Sequence, residues 1–170
     1  MLPVLLFDDG AACLGPLSDL RTAAEQRTGA LSALERWWTT GALAAVATHA
    51  PPALLAERLT RLPNRGGSWT TPSADEAQAL STGARLAAGE CLAINARSDT
   101  RPTDVAGLGA GQALRAADGT VVAARTDHAT ARALLGPSNG RTAALATLAG
   151  LSPIQGPAVR VWSRPWHLLD

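Results

Sequence analysis

The sequence predicts a single α/β domain with a mainly parallel sheet, helical crossovers and one β-hairpin. Three observations carry this expectation. Short, continuous apolar runs at residues 2–7, 42–48 and 90–95 have the length and hydrophobicity of strands buried on both faces. Helical patterns lie between them, so strand, helix, strand, helix and strand alternate, an order that places crossovers on a parallel sheet. Beyond residue 110 two short runs flank Asp118-Gly119, a pair suited to a tight hairpin turn.

Taken in order, Leu2-Pro3-Val4-Leu5-Leu6-Phe7 stops at Asp8-Asp9-Gly10, so a buried strand should open into a polar loop reaching about Gly29. A helix is expected from near Ser32, where Leu31, Leu34, Trp37 and Trp38 fall on or near one face, with Gly41 ending it. Residues 42–48 are the second strand. Pro51-Pro52 open a helix to about Leu59, since a first turn tolerates proline's missing amide hydrogen. Residues 63–71 read as loop. Ser73, with Glu76 three residues on, has the capping-box pattern for a helix at 74–80. The third strand spans 90–95, the hairpin strands 112–116 and 120–125, and alanine-rich helices 127–135 and 141–149. Val159-Arg160-Val161-Trp162 is the expected last strand.

With 170 residues, 46% hydrophobic and 17% charged, the chain can bury one sizeable core. A formal charge of +1 gives no general attraction to nucleic acid or membrane, so neither is expected as a partner and any anion site must be local. Every basic residue other than histidine is arginine, a planar fork for phosphates and carboxylates that also serves as a generic surface charge. No apolar stretch approaches the roughly 20 residues that span a bilayer. The start also lacks the basic region of a signal peptide. Cys13 and Cys91 form no motif, so a reduced, cytoplasmic setting is expected, with Cys91 a small core residue.

In open parallel sheets ligands bind beyond the carboxyl ends of the strands, where the strand order reverses. Two predicted strand ends carry concentrated polar groups: Asp8-Asp9-Gly10, and Asn95-Ala96-Arg97-Ser98-Asp99. The loop after the first adds Ser18-Asp19-Leu20-Arg21 and Glu25-Gln26-Arg27-Thr28-Gly29. Together they offer carboxylates for a metal or sugar hydroxyls and guanidinium forks for phosphate. Each has a structural reading too. Asp8 and Asp9 suit a turn, Arg21 and Arg27 can tie down a long loop, and Asn95 can satisfy backbone groups at a strand end. Gly107-Leu108-Gly109-Ala110-Gly111 precedes a hairpin strand instead of following a strand into a helix, which excludes a dinucleotide fingerprint. His49, His128 and His167 lack metal-ligand spacing, and Trp37, Trp38, Trp162 and Trp166 read as core or interface anchors.

The ordered segments Leu6-Phe7-Asp8-Asp9-Gly10, Leu14-Gly15-Pro16-Leu17-Ser18-Asp19-Leu20-Arg21 and Glu25-Gln26-Arg27-Thr28-Gly29-Ala30-Leu31-Ser32 with Glu35-Arg36 resemble a known family. Leu92-Ala93-Ile94-Asn95-Ala96-Arg97, Gly109-Ala110-Gly111-Gln112-Ala113-Leu114, Val121-Val122-Ala123-Ala124-Arg125 and Arg164-Pro165-Trp166-His167-Leu168-Leu169 continue the match. The family is the sugar nucleotidyltransferase domain found at the N-terminus of bacterial two-part proteins whose other half is a hexapeptide-repeat acyltransferase. The resemblance implies a Rossmann-like nucleotidyltransferase-type fold, here one domain over residues 1–170 without the repeats. It implies a reaction joining a sugar 1-phosphate to a nucleoside triphosphate with release of pyrophosphate, assisted by Mg²⁺.

On that resemblance Asp8, Asp9, Arg21 and Arg27 are the expected catalytic residues. Gly10, Ser18, Asn95 and Arg97 are the expected substrate-binding residues, and Asp99 the metal ligand. The chain departs from characterised relatives in three ways. Asp8-Asp9-Gly10 replaces a Gly-rich loop, lysine is absent, and Arg97 stands near the place of the metal-holding aspartate. An enzyme and a module that binds a nucleotide sugar without turnover are therefore both carried forward. A structural domain, forming a homo-oligomer through Trp162 and Trp166, is the third alternative.

Overall fold

The computed structural model describes residues 2–10, 23–25, 32–62, 70–154 and 159–162. Strands β1 (Val4–Phe7), β2 (Leu43–Ala47), β3 (Glu90–Asn95), β4 (Gln112–Arg115), β5 (Val121–Asp127) and β6 (Ser152–Ile154) form one sheet in the order β2-β1-β3-β5-β4-β6. β1 is parallel to β2 and β3, and β4 is parallel to β6. β5 alone runs against its neighbours. This is the expected α/β sheet, mainly parallel with a hairpin.

β1 to β3 are apolar throughout because both faces are covered. Residues 4–7 are at most 2% exposed. Successive side chains alternate between faces. Val4 and Leu6 join a cluster with Leu34, Trp37, Leu55, Leu59 and Leu80 from α1 (Ala33–Trp38), α2 (Pro52–Thr60) and α3 (Ala74–Thr82). Leu5 and Phe7 join the opposite cluster with Ala131, Leu134, Ala144 and Leu148 from α4 (His128–Leu135) and α5 (Ser138–Gly150). The second face is rich in alanine, with Ala44, Ala45, Ala47, Ala93 and Ala124 leaving room for helices to lie close to the sheet. Cys91 lies here too, and burial pushes its thiol up to about 11, as suits an inert core residue.

Local chemistry sets the element boundaries. Ser32 caps α1 in a buried capping box: Glu35 N–H donates to Ser32 Oγ at 3.2 Å and Ser32 N–H to Glu35 Oε2 at 2.7 Å. Ser73 and Glu76 repeat the device on α3. In the hairpin Gly119 has φ 85°, a left-handed conformation that costs glycine nothing, and Asp118 Oδ1 accepts from the Thr120 N–H at 2.9 Å.

Asp127 caps α4 by accepting from the Thr130 N–H at 2.7 Å, and this bond holds its carboxyl below the ordinary carboxylate range. The folded pKa is therefore depressed. The cap's contribution is complete above the unfolded value and fades as pH falls through the folded one. Asp127→Asn keeps an acceptor but cannot titrate, so this variant is expected to lose less stability on acidification than the native chain. Thermal melts between pH 6 and pH 3 check this; parallel curves for the two proteins would contradict it.

Three boundaries differ from the sequence expectation. α5 begins at Ser138 and not at 141, because Ser138, Asn139 and Gly140 occupy the first turn, whose amides need no intrahelical acceptor. β6 was not expected: Pro153 interrupts its pattern, and an edge strand accommodates the missing donor. The strand expected at 159–162 is corrected to a single bridge, Ser98 to Val161, with flanking hydrogen bonds.

Candidate functional site

β1 lies between β2 and β3. The chain leaves β1 for one side of it and then crosses to the other, so the strand order reverses at the carboxyl ends of β1 and β3. The Asp8 N–H donates to Ala47 O and the Ala96 N–H to Phe7 O, where the two ladders end. Asp8, Asp9, Gly10, Asn95 and Arg97 are thereby brought to one end of the sheet.

The polar groups on the β3 side face one another. Arg97 donates from Nε to Asp9 Oδ1 at 2.7 Å and from Nη2 to Asp9 Oδ2 at 2.6 Å, a bidentate pair. Asn95 Nδ2 donates to the same Oδ2 at 2.9 Å and to Val121 O at 3.1 Å, while Asn95 Oδ1 accepts from the Arg97 N–H. Arg97 Nη1 donates to Trp162 O at 2.6 Å, and the Trp162 N–H donates to Arg97 O at 2.8 Å. The Arg97 side chain is only 3% exposed. These residues thus join β1, β3, β5 and residues 159–162 into one network. Asp99 serves the same segment, its Oδ1 accepting from the Arg160 N–H at 2.9 Å. It also lies within electrostatic range of Arg36, whose guanidinium burial pushes below its usual value.

Open space lies on both sides of β1: Phe7 and Asp9 border a cleft of about 240 Å³ with Arg115, Thr120 and Val121, and a second lies on the β2 side. This second cleft, of about 410 Å³, is bounded by Thr48, His49, Pro51, Ser81, Ser138 and Arg141, among others. Asp8 stands beside it: Asp8 Oδ1 accepts from the Gly10 N–H at 2.9 Å, and its charge reaches Arg141. Gly10 has φ 71°, and a β-carbon there would sit 2.6 Å from His49 Nε2, so the β1 loop and the second residue beyond β2 are in close contact.

Among the described residues no three His, Cys, Asp or Glu side chains come together to hold a metal, so Asp8, Asp9 and Asp99 do not form one cluster. Ser18, Arg21 and Arg27 lie outside the described residues. Sequence reasoning passed over His49 and Arg141. His49 follows a buried strand directly, and that position was the available signal. Arg141 reaches Thr48 O from 93 residues away, for which the sequence offers none.

The sequence profile of the sugar nucleotidyl transferase family matches residues 4–170. The chain belongs to this family. Its members' profile thus spans the whole sheet, the Asp9–Arg97 network and the cleft. No curated protein and no solved structure matches the chain. Among the described residues no helix is long and apolar enough to cross a membrane.

Proposed function

We propose that this family member is a sugar-1-phosphate nucleotidyltransferase domain, converting a nucleoside triphosphate and a sugar 1-phosphate into a nucleotide sugar and pyrophosphate. The observation that carries the reading is the placement of Asp8 at the carboxyl end of β1, beside an open cleft, in a chain matched by the family profile almost throughout. In the reaction an oxygen of the sugar 1-phosphate attacks the α-phosphorus in line, a P–O bond forms, and the bond to the leaving pyrophosphate breaks.

Each residue at the sheet end has a part in this reading. Asp8 is the carboxylate whose charge reaches Arg141 on the cleft wall. Mg²⁺ takes one or two protein carboxylates with substrate phosphate oxygens and water, a set to which Asp8 contributes, and bound there it neutralises triphosphate charge. Asp99 is the less favoured ligand, since Oδ1 already accepts from Arg160. Arg21 and Arg27 supply phosphate contacts. Asp9, Asn95 and Arg97 fix the loops that carry Asp8 and Gly10. The setting in this reading is the cytoplasm.

A panel of nucleoside triphosphates and sugar 1-phosphates, assayed for pyrophosphate release with Mg²⁺, tests the proposal. Turnover that falls at least tenfold in Asp8→Asn supports it. A complete lack of pyrophosphate release at high protein concentration overturns it.

One observation favours a second reading, a nucleotide-sugar binding module without turnover. The Asp9–Arg97 pair fills the point where strand order reverses, and both members are engaged with each other. That reading predicts a raised Tm with a nucleotide sugar and no pyrophosphate release. The oligomer alternative draws less support, because Trp162 is buried within its own chain and is not presented to a partner.

A further inference from the structure

The cleft on the β2 side has a wall formed by Arg141, Ser138 and His49, residues to which the reading above gives no part. Arg141 projects from the first turns of α5, and two backbone carbonyls pin its guanidinium: Nη2 donates to Thr48 O at 2.6 Å and Nε to Leu134 O at 3.1 Å. Among the described residues no carboxylate forms a salt bridge with it, and Nη1 donates to none of them. The cation is thus held in one orientation, with its remaining N–H groups making no hydrogen bond to the described residues, on the wall of a cleft about 410 Å³ in volume.

The neighbouring groups are also donors. Ser138 lines the same cleft, and the cap position before α5 is Pro137, which offers no side-chain acceptor, so the first-turn amides are not satisfied by a capping oxygen. His49 lines the cleft as well and can offer a ring N–H. Among the described residues the carboxylate that acts on Arg141 is Asp8, at electrostatic range and not in contact. Fixed cation, hydroxyl, imidazole and helix amides together are complementary to a tetrahedral anion.

We propose that this cleft is a phosphate subsite, in which Arg141 Nη1, the Ser138 hydroxyl and the first-turn amides of α5 hold a phosphate group, with His49 lining the same cleft. The subsite adjoins the site described above, but it rests on cleft geometry and not on transfer. The phosphate comes from a nucleoside polyphosphate or a sugar phosphate, which share this chemistry.

Isothermal titration of the full chain with pyrophosphate, with no second substrate, tests the proposal apart from turnover. The expected result is saturable 1:1 binding. Ser138→Asp places a negative charge on the helix N-terminus, where a carboxylate stabilises the helix but repels phosphate. It should weaken pyrophosphate binding at least tenfold with Tm unchanged or raised. Arg141→Ala should weaken binding similarly, and if that variant fails to fold, Ser138→Asp decides alone. Displacement of pyrophosphate by a hexose 1-phosphate or by a nucleoside triphosphate identifies the source and supports the subsite. Absence of saturable binding, displacement by neither ligand, or native affinity in Ser138→Asp overturns it. Binding without pyrophosphate release would leave the subsite standing and remove the transferase reading.

Discussion

Arg97→Met is expected to lower the free energy of unfolding by about 3–5 kcal/mol, the range for removing one partner of a buried ion pair. Arg97 is 3% exposed and Asp9 15%, so the variant leaves a carboxylate with little water and without the two guanidinium hydrogen bonds it had. The size of the effect comes from the charge left behind and not from any large intrinsic strength of the pair. Removing both charges should therefore cost less than removing one: Asp9→Leu combined with Arg97→Met is expected to recover part of the loss. Urea unfolding of the native, single and double variants measures this coupling. A single variant as stable as the native chain, or a double variant whose loss is the sum of the singles, would contradict it. The loss should also be local. Arg97 Nη1 holds Trp162 O, so hydrogen exchange at the Arg160–Trp162 amides should accelerate more than at β1.

What the sequence revealed, and what it did not, follows from how far each determinant reaches along the chain. β1 and β3 were legible because burial on both faces leaves an apolar run, α1 because Leu34 and Trp37 fall on one face, and α3 because Ser73–Glu76 cap within four residues. The hairpin turned on Asp118 and Gly119 alone. β6 escaped because its only support is pairing with β4, and Pro153 hides it. At the site, strand-end logic found Asp8, Asp9, Asn95 and Arg97, but their orientation was beyond it. Whether Arg97 meets a phosphate or Asp9 depends on the β1–β3 register, which sets Phe7 opposite Asn95 and brings together groups 88 residues apart. No local pattern encodes that register. The same holds for Arg141 against Thr48, a contact on the wall of the cleft on the β2 side.

Gly10→Ala follows from that contact geometry, and its cost separates into two parts. The left-handed backbone at φ 71° costs an L-residue about 1–2 kcal/mol whatever surrounds it. The added β-carbon would also lie 2.6 Å from His49 Nε2, closer than any real contact, so something must shift. His49 is exposed and can swing away, which makes the second part a displacement of the imidazole instead of a disruption of the core. Gly10→Ala is thus expected to lose about 2 kcal/mol in urea unfolding. Adding His49→Ala should return the steric share and leave the backbone share. The cleft should register the same split. His49 lines it, so Gly10→Ala is expected to weaken pyrophosphate binding by moving the ring, whereas Asp118→Ala, remote in the hairpin turn, should not. If the double variant is no more stable than Gly10→Ala alone, the imidazole does not occupy the space above Gly10. The β1 loop would then be positioned by its backbone conformation, and His49 would have no part in holding Gly10.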